Sequence, residues 1–366
     1  MPRVRISNAI SWKRPTGPSR SHLAALATAL GLLLWTSGAA AQGLRILTWA
    51  DYLSPQVVER FQRESGIAVS VDTVSTSQAM VAPLGAAPPA YDVIFPADFQ
   101  ARDLIARNLL ERMGVDRLPN FWNVDDVWRS PDYDPRNEYT MPHVWGTTAF
   151  VVDTAVWSGP MDSLSLIFDP PPALAGRMAV IDGGFDMVQM TLVWQKLPRC
   201  STAPADMDKV RALLRPLLAR VAVLDAAEIV ADMIAGRHAV AVIWNGDALR
   251  VRRARPSARY ANPREGQLVW SDVIAVPRGA ANRANAQAFL SFMMRPEIAA
   301  MQSNFTGFAN MIRGSEPFMD PALLEAPEII TPPSSAQEFF IHCGNGAENR
   351  QEEIWRELLA ARTKVR

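Results

Sequence analysis

Residues 44–74 read LRILTWADYLSPQVVERFQRESGIAVSVDTV, and this stretch decides the fold class. A short apolar run, LRILTW, gives way to PQVVERFQRES with apolar residues at helical spacing, and a second β-branched run, AVSVDTV, follows. Pro55 suits a first helical turn and Gly66 suits a stop. Strand, helix and strand in one window is βαβ grammar, the signature of an α/β protein.

The same alternation continues outward. A helical stretch near Met80 leads to YDVIFP (91–96), and a helix is expected from about Gln100 to Leu110. Residues 116–142 are richer in Pro, Asn, Asp and aromatics than in periodic apolar residues, which predicts a packed irregular stretch. Beyond HVWGTTAFVVD (143–153), apolar runs recur at MAVI (178–181), VAVL (221–224), AVAVIW (239–244) and QLVWSDVIAVP (267–277). Helical patterns such as Ala226 to Ala235 separate them, so a second sheet is implied. A helix from Ala284 to Met294 should stop at Arg295 and Pro296, and a last amphipathic helix is expected from about Gln351 to Arg362.

The first 41 residues stand apart. Arg3, Arg5, Lys13, Arg14 and Arg20 precede an apolar run from Leu23 to Trp35, too short to span a bilayer, and Ala39, Ala40 and Ala41 follow. This is the pattern of a signal peptide over residues 1–41, cleaved near Ala41, with no cysteine at the cleavage point to carry a lipid. Removing 41 of 366 residues leaves 325, more than one compact core usually organises, so two lobes are expected. Removal of the five basic residues leaves 32 basic against 37 acidic, a net charge of −5. That balance suits cationic ligands and speaks against nucleic acid, although ordinary solubility explains it as well.

In open α/β sheets the ligand crevice lies beyond the carboxyl ends of the strands. LRIL is followed by Thr48, Trp49, Ala50, Asp51 and Tyr52; DVIFP by Ala97, Asp98 and Phe99; MAVI by Asp182 through Asp186; and AVAVI by Trp244, Asn245, Gly246 and Asp247. Trp270 to Asp272 interrupts a fifth run. Each place joins an aromatic residue to a carboxylate or lies near one. A dication on a methylene chain needs that pair of features: carboxylates at its ends and flat apolar walls along its middle. Aromatic faces attract ammonium groups by ~0.5 to 2 kcal/mol each, and a charge-assisted hydrogen bond returns ~1.5 to 3 kcal/mol. Taken singly, a Trp after a strand reads as core and an Asp there as a helix cap, as with Asp182 before Gly183 and Gly184. Five such clusters together favour a binding cleft.

Other features carry less. Arg250, Arg252, Arg253, Arg255 and Arg259 lack interleaved aromatics and read as a solvated face. His143, His238 and His342 show no metal-ligand spacing, and no phosphate loop or nucleophile elbow is present, so neither a metal nor a cofactor is expected. Cys200 and Cys343 fit either a disulfide or two buried thiols.

At these residues the chain resembles the periplasmic putrescine- and spermidine-binding proteins of bacterial ABC importers. The resemblance rests on TWADYLSPQVVERFQRESGIAV (48–69), YDVIFPAD (91–98), MPHVWGTTAFVVD (141–153), AVIWNGDA (241–248), EGQLVWSDVIAVP (265–277) and FLSFMMRPEIA (289–299), in the family's order. It implies a two-lobed periplasmic binding protein of the type II kind, with two mixed sheets flanked by helices and a hinge crossed more than once. One lobe would hold residues 44–141 and 276–313, the other 142–275 and 314–366.

Carried over, the resemblance implies that Trp49 and Tyr52 form aromatic walls, that Asp51 meets an amine end and that Trp244 and Trp270 stack on the methylenes. Asp272 matches the main ammonium-binding aspartate, and Asp186 a second acidic ligand. Asp247 resembles the putrescine form of its motif, and Phe308 falls where that form has a tyrosine. Asp98 belongs to the YDVIFPAD marker and counts among the ligand-binding candidates. Ala50, Ala97, Phe99 and Gly183 depart from the pattern, and the carboxylate missing at Gly183 argues for a short diamine over spermidine. A monomer in the periplasm, partnered by an inner-membrane ABC permease, is the expected setting. Two competing readings are a hydrolase using Asp51 and Asp272 as an acid-base pair, and a two-lobed receptor for iron or an amino acid. Iron receptors generally cluster tyrosines, whereas the five here are dispersed. An amino-acid receptor needs an Arg aimed at the carboxylate, which none of the strand-end segments offers.

Overall fold

The computed structural model describes residues 43–329, 343 and 346–362; the segment read as a signal peptide, and His342, lie outside the described residues. Strand β1 (Leu44–Trp49), helix α1 (Pro55–Ser65) and strand β2 (Val69–Val74) form the expected βαβ unit, with β1 and β2 parallel and Leu44 opposite Val69. Pro55 sits in the first turn of α1, and Gly66 closes it in the left-handed region (φ 72°), its N–H donating to the Gln62 carbonyl. Val57 and Phe61, four residues apart, are the buried face of α1. Full burial of each contributes ~1.5–3 kcal/mol.

The chain continues through α2 (Ser77–Val81), β3 (Val93–Ile94) and α3 (Asp98–Ala106). The irregular stretch holds three single 3-10 turns, at Val115–Arg117, Phe121–Asn123 and Asp126–Trp128. Then comes β4 (Thr140–Asp153), α4 (Ser165–Phe168), β5 (Met178–Ile181), α5 (Gly184–Trp194), α6 (Pro204–Leu218) and β6 (Ala222–Leu224). Next are α7 (Ala226–Ile234), β7 (Val240–Trp244), α8 (Asn245–Ala254), β8 (Ala258–Tyr260) and β9 (Leu268–Ala275). The last elements are α9 (Arg283–Met293), α10 (Pro296–Thr306), β10 (Ala309–Asn310), α11 (Pro321–Leu324) and α12 (Ala347–Arg362). The Arg295–Pro296 stop is a junction: Pro296 ends α9 by opening α10 in its first turn. Among the described residues no helix is long and apolar enough to cross a membrane.

The strands run in the order β2-β1-β3-β9-β4-β7-β5-β6, with β8 and β10 also pairing β4. The two expected sheets are thus joined into one hydrogen-bonded path, because β4 and β9 are long enough to serve both. β9 meets β3 through Ala275 and pairs with β4 from Thr140 to Thr148, while the far half of β4 pairs with β7. Two main cores flank this spine. One gathers Leu44, Ile46, Phe95 and Phe289 around β1 and β3. The other gathers Phe150, Val180, Val242 and Trp355 around β5 and β7, and Trp244 packs against both.

Cys200 and Cys343 are joined in a disulfide across 143 residues of sequence. It ties the approach to α12 to the end of α5, where Gln351 and Arg199 are also bonded through Gln189. Replacing both cysteines with serine is expected to lower stability by about 2–5 kcal/mol, read as a drop in denaturant midpoint relative to the oxidised protein. An unchanged midpoint contradicts a stabilising role.

Candidate functional site: an acidic, aromatic-walled cleft

The ends of β1, β3, β5 and β7 and the middle of β9 open into one cleft with about 1130 Å³ of empty space, its mouth included. Its lining contains Trp49, Asp51, Tyr52, Asp98, Asp186, Trp244, Asp247, Trp270, Asp272 and Phe308, so every candidate from the sequence converges on it.

The aromatic wall follows from strand geometry and two glycines. Trp270 lies opposite Gly146 in the β4–β9 register, where a Cβ would come within 2.5 Å of the indole. Gly246 makes the same allowance for Phe308, whose ring a Cβ would meet at 2.6 Å. The rings then form a chain: Trp244 to Trp270 at 6.2 Å, Trp270 to Phe308 at 5.0 Å and Phe308 to Tyr52 at 6.1 Å between centroids. Across the cleft Phe99 stacks on Phe185 at 5.2 Å. Behind Tyr52 lies His143, buried, edge-on to Tyr52 and Phe95, its imidazole pushed down to about 3 by burial. It therefore adds no positive charge at neutral pH.

The carboxylates differ in their partners. Asp272, two residues after Trp270 on β9, accepts a 2.7 Å hydrogen bond from the Tyr52 hydroxyl. Burial pushes its carboxyl up to about 8; Asp98 and Asp186 push the same way, while Tyr52 pulls it down. Asp186, in the first turn of α5, accepts from the Thr148 hydroxyl at 2.5 Å and is raised to about 6 by burial, with Thr148 and Trp244 opposing. Asp98, in the first turn of α3, accepts from the Phe99 N–H at 2.6 Å and from the Ser271 hydroxyl. Asp272 and Asp186 are thus buried acidic groups bonded by neutral donors, a setting that favours either a proton or an arriving cation.

A further carboxylate group in the cleft differs. Asp247 is buried and is engaged by the guanidinium of Arg250, three residues on along α8, which also lies 3.7 Å from Asp51. Asp51 reaches into this arrangement from a left-handed backbone conformation (φ 53°), which Asp tolerates better than most side chains. Burial raises the Asp247 carboxyl, Arg250 opposes this and Asp51 adds to it.

The expectation of a solvated Arg face holds for Arg253 and Arg259, which are exposed, and is corrected for the other three. Arg250 lines the cleft, Arg252 pairs with the buried Glu328 and Arg255 with the buried Asp153. An arginine does stand in the cleft, contrary to the argument that excluded amino-acid ligands, but its guanidinium is already engaged by carboxylates. Glu352 of α12 was also missed. It accepts from the Phe185 N–H at 2.7 Å, and burial pushes it up to about 7. Asp182, read as a turn residue, accepts from the Trp355 indole at 2.7 Å and so anchors α12 at the cleft.

The model of bacterial extracellular solute-binding proteins matches residues 56–331. A putrescine/agmatine-binding protein of Pseudomonas aeruginosa is 27% identical over 321 residues, covering 82% of this chain and 87% of the relative. A spermidine/putrescine-binding periplasmic protein of Escherichia coli is 28% identical over 295 residues, covering 79% and 83%. Among solved structures, a Listeria monocytogenes protein assigned as a spermidine/putrescine ABC transporter is 24% identical and superposes with a TM-score of 0.81 over 89% of this chain and 100% of that one. The fold is thus that of the two-lobed periplasmic binding proteins.

Proposed function

The chain belongs to the bacterial extracellular solute-binding proteins, which bind solutes for ABC transport and are not enzymes, and from that premise we propose that it captures a small aliphatic polyamine outside the cytoplasm and delivers it to an ABC permease. The observation that carries this reading is Asp272: a buried carboxylate bonded by a neutral hydroxyl, raised toward 8 by burial and set two residues from a run of four aromatic rings. An alkylammonium end supplies the charge that Asp272 and Asp186 lack, and the rings supply the apolar surface its methylenes need. The names of the relatives, which bind putrescine, agmatine or spermidine, support the same class.

We assign Trp49, Tyr52, Trp244, Trp270 and Phe308 to the ligand's chain, and Asp51, Asp98, Asp186, Asp247 and Asp272 to its ends. A short diamine of the putrescine kind is the favoured ligand, because Gly183 stands in the cleft lining where the spermidine-type pattern has a carboxylate. The lobes divide as residues 44–141 with 276–313 and 142–275 with 314–366, a division supported by the two separate cores, although Val144 of β4 and Ile274 of β9 pack with the first lobe's core at the crossing. Ligand capture by closure of the lobes is a population shift, driven by contacts available only when both walls touch the ligand. Residues 1–41 act as the export signal in this reading, and the exported protein works as a monomer without a cofactor.

Thermal-shift screening of the purified protein against putrescine, cadaverine, agmatine, spermidine and amino acids tests the assignment. Short diamines should raise the melting temperature most; stabilisation by amino acids alone contradicts it. Trp244→Ala removes one wall and is expected to weaken diamine binding by about 1–2 kcal/mol while leaving its salt dependence unchanged. A variant that binds as tightly as the natural protein would place Trp244 outside the ligand's reach.

A further inference from the structure

We infer that Arg250 is a resident counter-cation which limits the number of positive charges the cleft accepts, so that the receptor selects dications and discriminates against trications. This deepens the polyamine reading and rests on it.

Arg250 is the one basic side chain among the described residues that line the cleft, against eight carboxylates in the same lining. It stands one helical turn after Asp247 on α8, spacing that puts both on one face of the helix. Its guanidinium bonds Asp247, whose side chain is only 2% exposed, and lies 3.7 Å from Asp51, which comes from the β1–α1 connection on the other wall. The second carboxylate pair, Asp272 and Asp186, is bonded by the Tyr52 and Thr148 hydroxyls, which carry no charge. The cleft therefore has one carboxylate pair that meets no cation and one pair that already shares one.

The consequences follow from the chemistry of guanidinium, which keeps its charge at any working pH and is more weakly hydrated than an ammonium, so a partly buried site retains it. The first ammonium of a ligand reaches Asp272 and Asp186 without meeting another cation. A second ammonium at the far end must share Asp51 and Asp247 with Arg250, which leaves a net charge of −1 for it there. With that second ammonium in place the charges of Asp51, Asp247 and Arg250 are balanced, and a third is repelled by both neighbours. Each charge added to the ligand is thus opposed more strongly by Arg250 than the one before.

The test is titration calorimetry of the natural protein and of Arg250→Gln with n-butylamine, putrescine and spermidine, one, two and three charges on related chains. Removal of the resident cation should tighten spermidine about tenfold, putrescine about threefold and butylamine hardly at all, with the gains shrinking as salt is raised. Arg250→Lys, which keeps the charge, should preserve the natural order of affinities. Arg250→Met, which keeps the apolar stem, serves for the same comparison should the glutamine variant melt early. A uniform change for all three amines, or weaker spermidine binding in the neutral variants, overturns the inference while the polyamine reading stands. Absence of binding by the natural protein to any of the amines instead removes the polyamine reading, and this inference with it.

Discussion

Asp272→Asn is expected to weaken diamine binding by ~3–5 kcal/mol, two to three and a half orders of magnitude in Kd, the range found when one partner of a buried ion pair is removed. The substitution is nearly isosteric, and the asparagine oxygen can still accept from the Tyr52 hydroxyl, which bonds Asp272 at 2.7 Å. Only the charge is lost. An arriving ammonium then gives up its water in a cleft of aromatic rings without the Asp272 carboxylate to replace it. The empty variant should be at least as stable as the natural protein. Ionised Asp272 is disfavoured by burial and by the nearby Asp98 and Asp186, and asparagine escapes that cost. Lost affinity together with an undiminished melting temperature separates a binding role from a structural one. Calorimetric affinity equal to that of the natural protein removes Asp272 from the site.

The second large effect is on pH. Because the folded-state value of Asp272 is raised from 3.8 to about 8, the empty folded protein holds a proton that the unfolded chain has released at neutral pH. This group's contribution therefore falls as pH rises from 3.8 to about 8, and levels off above that. Bound alkylammonium reverses the balance by favouring the ionised form. Its own charge stays in place, since aliphatic amines titrate near 10. Affinity should then rise roughly tenfold per pH unit from pH 6 to pH 8 and flatten beyond, with about one proton released on binding at pH 7. Titration in two buffers of different ionisation enthalpy measures that proton directly. Asp186, raised by burial to about 6, adds a smaller release at the acid end. Binding that is flat from pH 6 to pH 8, with no proton release, contradicts the protonated state of the empty cleft.

Much of this was legible in the sequence because the deciding signals are local. Pro55 and Gly66 bracket α1 as their backbone preferences dictate, and the carboxylates and aromatics follow apolar runs, so the strand-end rule for α/β sheets brings them to one cleft. What escaped was long-range. The joining of two expected sheets depends on the length of β4 and its pairing with both β7 and β9, which no single window contains. Glu352 enters the cleft from a helix more than 160 residues away from the Phe185 amide it caps. Arg250 was hidden by its company: within a run of arginines it reads as a solvated face, and the three-residue spacing from Asp247 was the signal that could have found it. Phe308 and Trp270 line the cleft, but the glycines that make room for them, Gly246 and Gly146, are visible only as contacts.

The most direct test of the acidic, aromatic-walled cleft as a polyamine site is a crystal structure of the protein grown with putrescine. The account predicts a four-carbon chain lying against Trp244, Trp270 and Phe308 with one terminal nitrogen within about 3 Å of an Asp272 carboxylate oxygen. A diamine bound away from Asp272, or crystals from saturating putrescine with nothing between these rings, would contradict it.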